Sequence, residues 1–407
     1  MTSYGVTLYS PGDLRELREA ISDALAAEEP LELVAGGSKR GLGRPMQTPH
    51  TLDLSRLSGI RSYEPNELVL TASAATPLDE IEGALAQNRQ MLAFEPPDWR
   101  SLLGSQETRP TLGGALACNL SGPRRIKAGA ARDHFLGFRA VSGRGEIFKS
   151  GGKVVKNVTG YDLSKLMAGS YGTLAALEEA TVKVLPQPEH VATILLCGLD
   201  PAAAQDAMRQ ALASPYDVSA AAYLPAALPV SEMTKAVALR LEGPEPAVAF
   251  RRERLLAELA AGCESAVLEV DASTDYWRAI RDVEPFSASP ERAVWRVSVA
   301  PARGIEIGEA IAGGLDALWY LDWGGGLVWA AIADGDDAGA AAIRTAIRGV
   351  DGRGTGHATL IKGSAALRRA VPVFEPQPPA LAALAARIKD SFDPRHILNP
   401  GRIVERS

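Results

Sequence analysis

The chain has few of the residues that announce a metal centre, a redox disulfide or a membrane anchor. Only three cysteines, Cys118, Cys197 and Cys263, occur in 407 residues. They lie far apart and form no C-x-x-C pair, so no motif for an iron–sulfur cluster or a structural zinc is present. Cysteine scarcity fits a reducing compartment. No H-E-x-x-H occurs, which leaves metal hydrolysis without support. The longest apolar runs, Val191–Cys197 and Leu327–Ala333, fall far short of the roughly 20 residues a membrane span needs. The N-terminus carries no basic and then apolar signal region. These absences predict a cytoplasmic protein that meets the inner face of a membrane only through partners. There is no long basic block, and the formal charge is −6, from 43 Lys and Arg against 49 Asp and Glu. Nucleic acid is therefore not an expected partner, because nothing clusters cations for phosphates.

Two phosphate-binding patterns are also missing. Without G-x-x-x-x-G-K-[ST] there is no P-loop, and without G-x-G-x-x-G opening a helix a nicotinamide-type fold loses its main signature. G-x-S-x-G, the nucleophile elbow, is likewise absent. Apolar residues make up 46% of the chain and charged residues 23%, an ordinary balance for a globular protein. The length favours more than one domain, each able to bury its own core.

The informative stretches are rich in glycine and small polar residues. Ala35-Gly36-Gly37-Ser38-Lys39 follows the short apolar run Leu31–Val34. Between Pro110 and Pro186 come Thr111-Leu112-Gly113-Gly114, Asn119-Leu120-Ser121-Gly122, Arg132-Asp133, Lys156–Asp162 and Gly169-Ser170-Tyr171-Gly172-Thr173. Glycine lets the backbone turn inward and removes the side chain that would block close approach, so converging N–H groups can meet an anionic ligand. The first loop alone is equally readable as a turn with solvated Lys39 and Arg40. Two such segments together suit a long, planar, doubly charged ligand.

Elsewhere the pattern predicts a helix from Leu14 and a strand over Glu67–Ser73. Thr76 reads as the N-cap of a helix with Pro77 at its first position. A hairpin is expected across Gly143–Gly145, and a strand over Leu174–Val184 ended by Pro186 and Pro188. Beyond that point strands and helices alternate, as in an α+β domain with an antiparallel sheet. Pro372 to Pro379 holds four prolines and reads as a linker to a final helix, Ala380–Ser391. The expected division is 1–188, 189–375 and a tail, 376–407.

Taken in order and spacing, the glycine segments resemble the FAD-binding domain of the vanillyl-alcohol-oxidase, or PCMH-type, family. Over nearly the whole length, Gly113–Arg125, Ala131–Asp133, Val155–Ser170, Trp277–Arg281, Val294–Arg296, Asp322–Gly325, Gly356–Leu360 and Leu398–Arg402 are similar to the FAD-binding E subunits of bacterial glycolate oxidases. The resemblance implies a two-part PCMH-type FAD-binding domain, a smaller α+β cap, and a tail returning to the first domain. It implies FAD held by Ala35, Gly36, Gly37, Ser38, Lys39, Thr111, Leu112, Gly113, Gly114, Asn119, Ser121, Gly122, Arg132, Asp133, Gly169, Gly172, Thr173 and Asn399. Relatives with covalent FAD carry a histidine in the first loop; this loop has none, which predicts non-covalent FAD. The resemblance further implies oxidation of a small 2-hydroxy acid, with a larger flavin subunit and an iron–sulfur subunit as partners. A self-sufficient dehydrogenase and a non-redox scaffold are the alternatives.

Catalysis needs a base for the hydroxyl proton and a cation for the carboxylate. Family members often place a His-x-His pair in the second domain, and this chain has none. His357 is a candidate base or a structural histidine at a sheet edge. Arg281 and Arg296 are candidates for the carboxylate, or arginines stacked on Trp277 and Trp295.

Overall fold

The computed structural model describes residues 7–152, 161–226, 235–333, 335–349 and 354–405. The expected Lys156–Gly160 portion of the second glycine-rich stretch lies outside them. Near the N-terminus, Asp13 caps the helix Leu14–Ala27 by accepting the Glu16 N–H at 2.8 Å. Leu17, Ala20, Ile21 and Ala24 recur at helical spacing and form its buried stripe. They cover a small parallel sheet of Leu31–Val34, His50–Asp53 and Leu8–Tyr9.

Next comes a five-stranded antiparallel sheet, in the order Ile60–Glu64, Val69–Ser73, Ala175–Lys183, Phe135–Ser142 and Ile147–Gly151. The helix Leu78–Ala86 packs on it through Leu78, Ile81 and Leu85. Its N-cap is Pro77, one residue later than the sequence pattern suggests. Thr76 instead spends its hydroxyl on the Ser73 carbonyl at 2.7 Å and on the Gly59 N–H at 2.9 Å. A buried hydroxyl satisfies the loop beneath it in preference to the helix end.

The third layer is an eight-stranded antiparallel sheet, ordered Glu264–Leu268, His190–Cys197, Ala236–Gly243, Ala220–Leu224, Ala317–Asp322, Leu327–Ile332, Ala293–Val299 and Gly356–Lys362. Its central strands Ala220–Leu224 and Leu327–Ile332 are buried at every position, which requires both faces to be covered. Helices Pro201–Ala213, Glu245–Leu259, Gly304–Gly314 and Ala340–Arg348 cover one face, packing on Trp295, Val297, Leu321 and Val328. The other face presents Val294, Tyr320, Trp329 and Ile361 to Leu42, Trp99, Leu102 and Leu120. Residues of the glycine-rich part thus contribute to this second core. That shared core fixes the first glycine loop against the eight-stranded sheet.

The helix Pro379–Phe392 leads into a tail that returns to the N-terminal part. Asp393, fully buried, accepts the N–H groups of Ile397 and Leu398 at 3.0 and 2.8 Å and the Lys389 ammonium at 2.5 Å. Leu31 and Asn399 then exchange strand-like bonds with the tail, at 2.6 Å to the Ile397 carbonyl and 2.9 Å to the Leu31 carbonyl. No helix among the described residues is long and apolar enough to cross a membrane.

Candidate functional site: a glycine-lined cleft and its aromatic end

The strand Leu31–Val34 delivers the first glycine loop beside the second. Arg109 N–H donates to the Gly36 carbonyl at 3.1 Å, and Gly37 pairs with Arg109 as a parallel bridge. A Cβ on Gly36 would stand 1.7 Å from the Arg109 carbonyl oxygen. Only glycine permits that contact. Segments separated by more than 70 residues in sequence are in this way zipped edge to edge.

Together they enclose a cleft of about 800 Å³, counting its open mouth. Of the expected residues, Ala35, Gly36, Gly37, Ser38, Lys39, Thr111, Gly113, Gly114, Gly172 and Asn399 line it. The others do not line it, and Arg132 and Asp133 are exposed. Leu112 is fully buried in the core under the helix Leu112–Ala117. Asn119 accepts the Arg132 N–H at 3.1 Å, Ser121 accepts the Ala131 N–H at 2.9 Å, and Asp133 accepts the Ala130 N–H at 2.9 Å. Gly122 N–H donates to the Phe94 carbonyl, Gly169 N–H to the Leu116 carbonyl, and the Thr173 hydroxyl to the Ser170 carbonyl. Their role in the structure is to hold the loops that carry the lining.

The tail completes the wall. Asn399 accepts the Leu33 N–H at 2.8 Å and donates to the Tyr171 carbonyl at 2.7 Å. It clips the first loop's strand to the Gly172 turn, where φ is +69°. Replacing Asn399 by alanine leaves both groups unpaired. The expected cost is about 1–3 kcal/mol in urea unfolding, together with weaker FAD retention. Wild-type stability and flavin content in that variant would refute the clip.

The cleft's chemistry fits a dinucleotide with a planar ring. Lys39, Arg40 and Arg402 line it, and among the described residues no Asp or Glu does. Arg40 and Arg402 share Glu32, at 2.5 and 3.1 Å. Lys39 has a single hydrogen bond among the described residues, 3.2 Å to the Ser38 hydroxyl. Burial pushes the Lys39 pKa down, outweighing the more distant charge of Asp98, as expected for a cation taken from water without an ion-pair contact. A diphosphate would supply the missing charge, while Leu33, Leu54, Ala74, Ala75, Ala175 and Leu177 offer apolar wall. No histidine lines the cleft. Cys118 does, but burial raises its pKa to about 11, so it remains a thiol and a poor nucleophile.

Cys118 and Tyr171 line the cleft and also pack against the core beneath the eight-stranded sheet. The end of the cleft therefore abuts that sheet's second face. Two cross-strand rows cross this face: Tyr320, Trp329, Arg296 and Thr359, then Asp322, Leu327, Ser298 and His357. Trp323 follows directly and donates its indole N–H to the Gly122 carbonyl at 3.1 Å. Arg296 and Arg125 lie 5.0 and 4.2 Å from the Trp323 ring centroid. Asp322 is buried and accepts the Trp323 backbone N–H at 2.6 Å; burial lifts its pKa to about 7.

Of the three candidates for catalysis, Arg296 and His357 come to this face. Burial, then the charge of Arg296, lowers the His357 pKa. Arg281 packs beside Gly122 but has its guanidinium committed to Asp282 at 2.8 and 2.7 Å. Its carbonyl accepts the Trp99 indole N–H at 3.2 Å. His134 bonds the Ala128 carbonyl at 2.9 Å and His396 pairs with Asp390 at 2.8 Å. Sequence reasoning did not single out Arg125, Trp323 and Arg402 as site residues. The Arg124-Arg125 and Trp323-Gly324-Gly325 motifs were visible, but their convergence depends on the sheet. Among the described residues, no group of three or more His, Cys, Asp or Glu could hold a metal ion.

Comparison with known proteins places this geometry. A family model for an FAD binding domain matches residues 7–151. The chain is 34% identical over 396 residues to glycolate oxidase subunit GlcE of Escherichia coli, covering 97% of each chain. It is also 43% identical over 102 residues to glycolate oxidase subunit GlcD of Bacillus subtilis, covering 25% of this chain and 21% of that one. The structure matches p-cresol methylhydroxylase with a TM-score of 0.69 at 12% identity, covering 98% of this chain and 88% of that one. At that identity the match speaks for the fold, which is the PCMH type.

Proposed function

The chain belongs to the GlcE family of FAD-linked glycolate oxidase subunits, and from that premise we propose that it takes part in oxidising glycolate, or a similar short 2-hydroxy acid, to the 2-oxo acid. FAD is the cofactor. The single observation that carries the reading is the acid-free cleft, whose one cation without a carboxylate partner is Lys39 among the described residues. Bound flavin supplies a hydride acceptor. Lys39 and the Gly36–Ser38 backbone would hold the diphosphate, and Thr111, Gly113 and Gly114 would border it. The thiol of Cys118 and the absence of a lining histidine favour non-covalent attachment, so acid precipitation should release the flavin.

Electrons then leave through a partner. The name of the Escherichia coli relative, and the segment shared with the GlcD relative, support a multi-subunit assembly. We assign the partners as a larger flavin subunit and an iron–sulfur subunit, because this sequence has no cluster motif of its own. The test is the visible spectrum of the purified chain before and after anaerobic glycolate. Bleaching of the flavin bands is the expected result. Flavin that stays oxidised with glycolate and with D-lactate would place the hydride step on another chain. A colourless protein that takes up no FAD would refute the cofactor site.

A further inference from the structure

Arg296 and Arg125 make no hydrogen bond or ion pair through their guanidinium groups among the described residues. Both instead meet the one indole ring of Trp323. Most other arginines near this core have an acid: Arg124 has Glu95 and Glu242, Arg240 has Glu95, and Arg281 has Asp282. The contrast matters because a partly buried cation without a counter-charge is costly, and a cation–π contact compensates only in part. Burial and then the charge of Arg125 push the Arg296 pKa down to about 10. Asp322, the nearest acid on the same face, holds its proton more tightly than usual and bonds the backbone of Trp323. Asp133 acts on Arg125 without an ion-pair contact among the described residues, so the pair's charge is compensated only in part.

The position is as informative as the charge. Tyr171 lines the flavin cleft, packs edge-on against Phe374 with ring centroids 5.0 Å apart, and lies within electrostatic reach of Arg296. Arg125 opens the short helix Arg125–Ala128 that follows Gly122, whereas Arg296 comes from the strand Ala293–Val299. Each of the two layers contributes one cation, and they converge where the layers meet.

We propose that Arg296 and Arg125, gathered on Trp323 at the end of the cleft, form the binding site for the carboxylate of a short 2-hydroxy acid. Resting on the flavoprotein reading, this assigns substrate recognition to this chain rather than to a partner subunit. Guanidinium groups suit the task because their planar donors match a carboxylate in two-point contact. Ser298 and His357 lie in the next cross-strand row and are placed to meet the polar remainder of such a ligand.

Oxalate is the probe: it has the carboxylate but no hydrogen to transfer, so binding separates from turnover. Calorimetric titration of the purified protein is expected to show binding, and Arg296→Met to weaken it roughly 10- to 100-fold, the range for a lost charge-assisted bond. Arg296→Lys should recover part of the loss. Arg125→Gln, from the other layer, should weaken binding independently if Arg296→Met disturbs the sheet. Flavin content should stay at the wild-type level in every variant, which separates this inference from the cofactor reading. Unchanged oxalate affinity in both Arg296→Met and Arg125→Gln would overturn it. So would a flavin-loaded wild type that does not bind oxalate, or one that binds inorganic phosphate more tightly.

Discussion

Gly114→Val should yield a protein that folds and melts like the wild type without FAD but retains almost no flavin. Gly114 lines the cleft and sits in the helix Leu112–Ala117, where its backbone is not in the left-handed region. A Cβ there would meet the Thr111 hydroxyl at 3.1 Å and Lys39 Cδ at 3.3 Å. The neighbours are side-chain atoms rather than backbone, so the helix can absorb the change. The added branches then occupy space beside the one lining cation that lacks a carboxylate. Overpacking costs about 1–3 kcal/mol, which is roughly 10- to 100-fold in affinity. The measurement is the ratio of flavin to protein absorbance after gel filtration, beside a melt of the flavin-free form. An unchanged ratio would refute the placement of the second loop. Gly36→Ala makes the contrasting case: its Cβ would meet the Arg109 carbonyl at 1.7 Å, so folding and flavin should fail together.

The second large effect concerns the joint between the layers. Glu95 accepts Arg240 at 2.8 and 3.1 Å and pairs with Arg124 at 3.0 Å. Arg124 in turn holds Glu242 at 2.6 and 3.1 Å. Glu95 and Arg124 come from the glycine-rich part, Arg240 and Glu242 from the strand Ala236–Gly243, and the cluster is largely buried. Glu95→Ala leaves two guanidinium groups short of charge, for an expected loss of about 3–5 kcal/mol. The acid limb should change with it. Burial alone would raise both carboxyl pKa values. Arg240 and Arg124 outweigh it, holding Glu95 below the usual range and Glu242 at about 2. Between the ordinary value of 4.5 and about 2, the unfolded chain binds protons that the native chain refuses. The network's stability is therefore complete above that window and is lost as pH falls through it. Urea unfolding at pH 7 and pH 3.5 should show a smaller acid loss in Glu95→Ala than in the wild type. Equal losses would show that the quartet does not control the joint.

Much of the site was legible because glycine and small polar residues have a direct backbone meaning. Gly36 and Gly113 stood out by composition, and the structure shows backbone within 2.9 Å of where each Cβ would be. Fold type and cofactor followed from the resemblance those segments carry to the PCMH-type family. The capping of the helix Leu78–Ala86 did not follow. Thr76 and Pro77 fit a local signature, yet the hydroxyl was drawn to Gly59 and Ser73 by burial. Arg281 and Arg296 looked alike in sequence, each close to a tryptophan. Arg281 is paired by its own chain neighbour, Asp282, whereas what surrounds Arg296 is set by the sheet that brings Asp322 and Trp323 to its face.

The sequence by itself determined that two glycine-rich segments can bring backbone close to a long anionic ligand, because turn chemistry and glycine spacing act over a few residues; its resemblance to the PCMH-type family is what pointed from there to FAD and to the fold. Tertiary structure decided which residues share the cleft, since Asn399 reaches Leu33 only when the tail folds back. It also decided where uncompensated charge resides. Which strands become neighbours also decides what meets an arginine, and here that placed Arg125 and Arg296 on Trp323 with no carboxylate in ion-pair contact among the described residues.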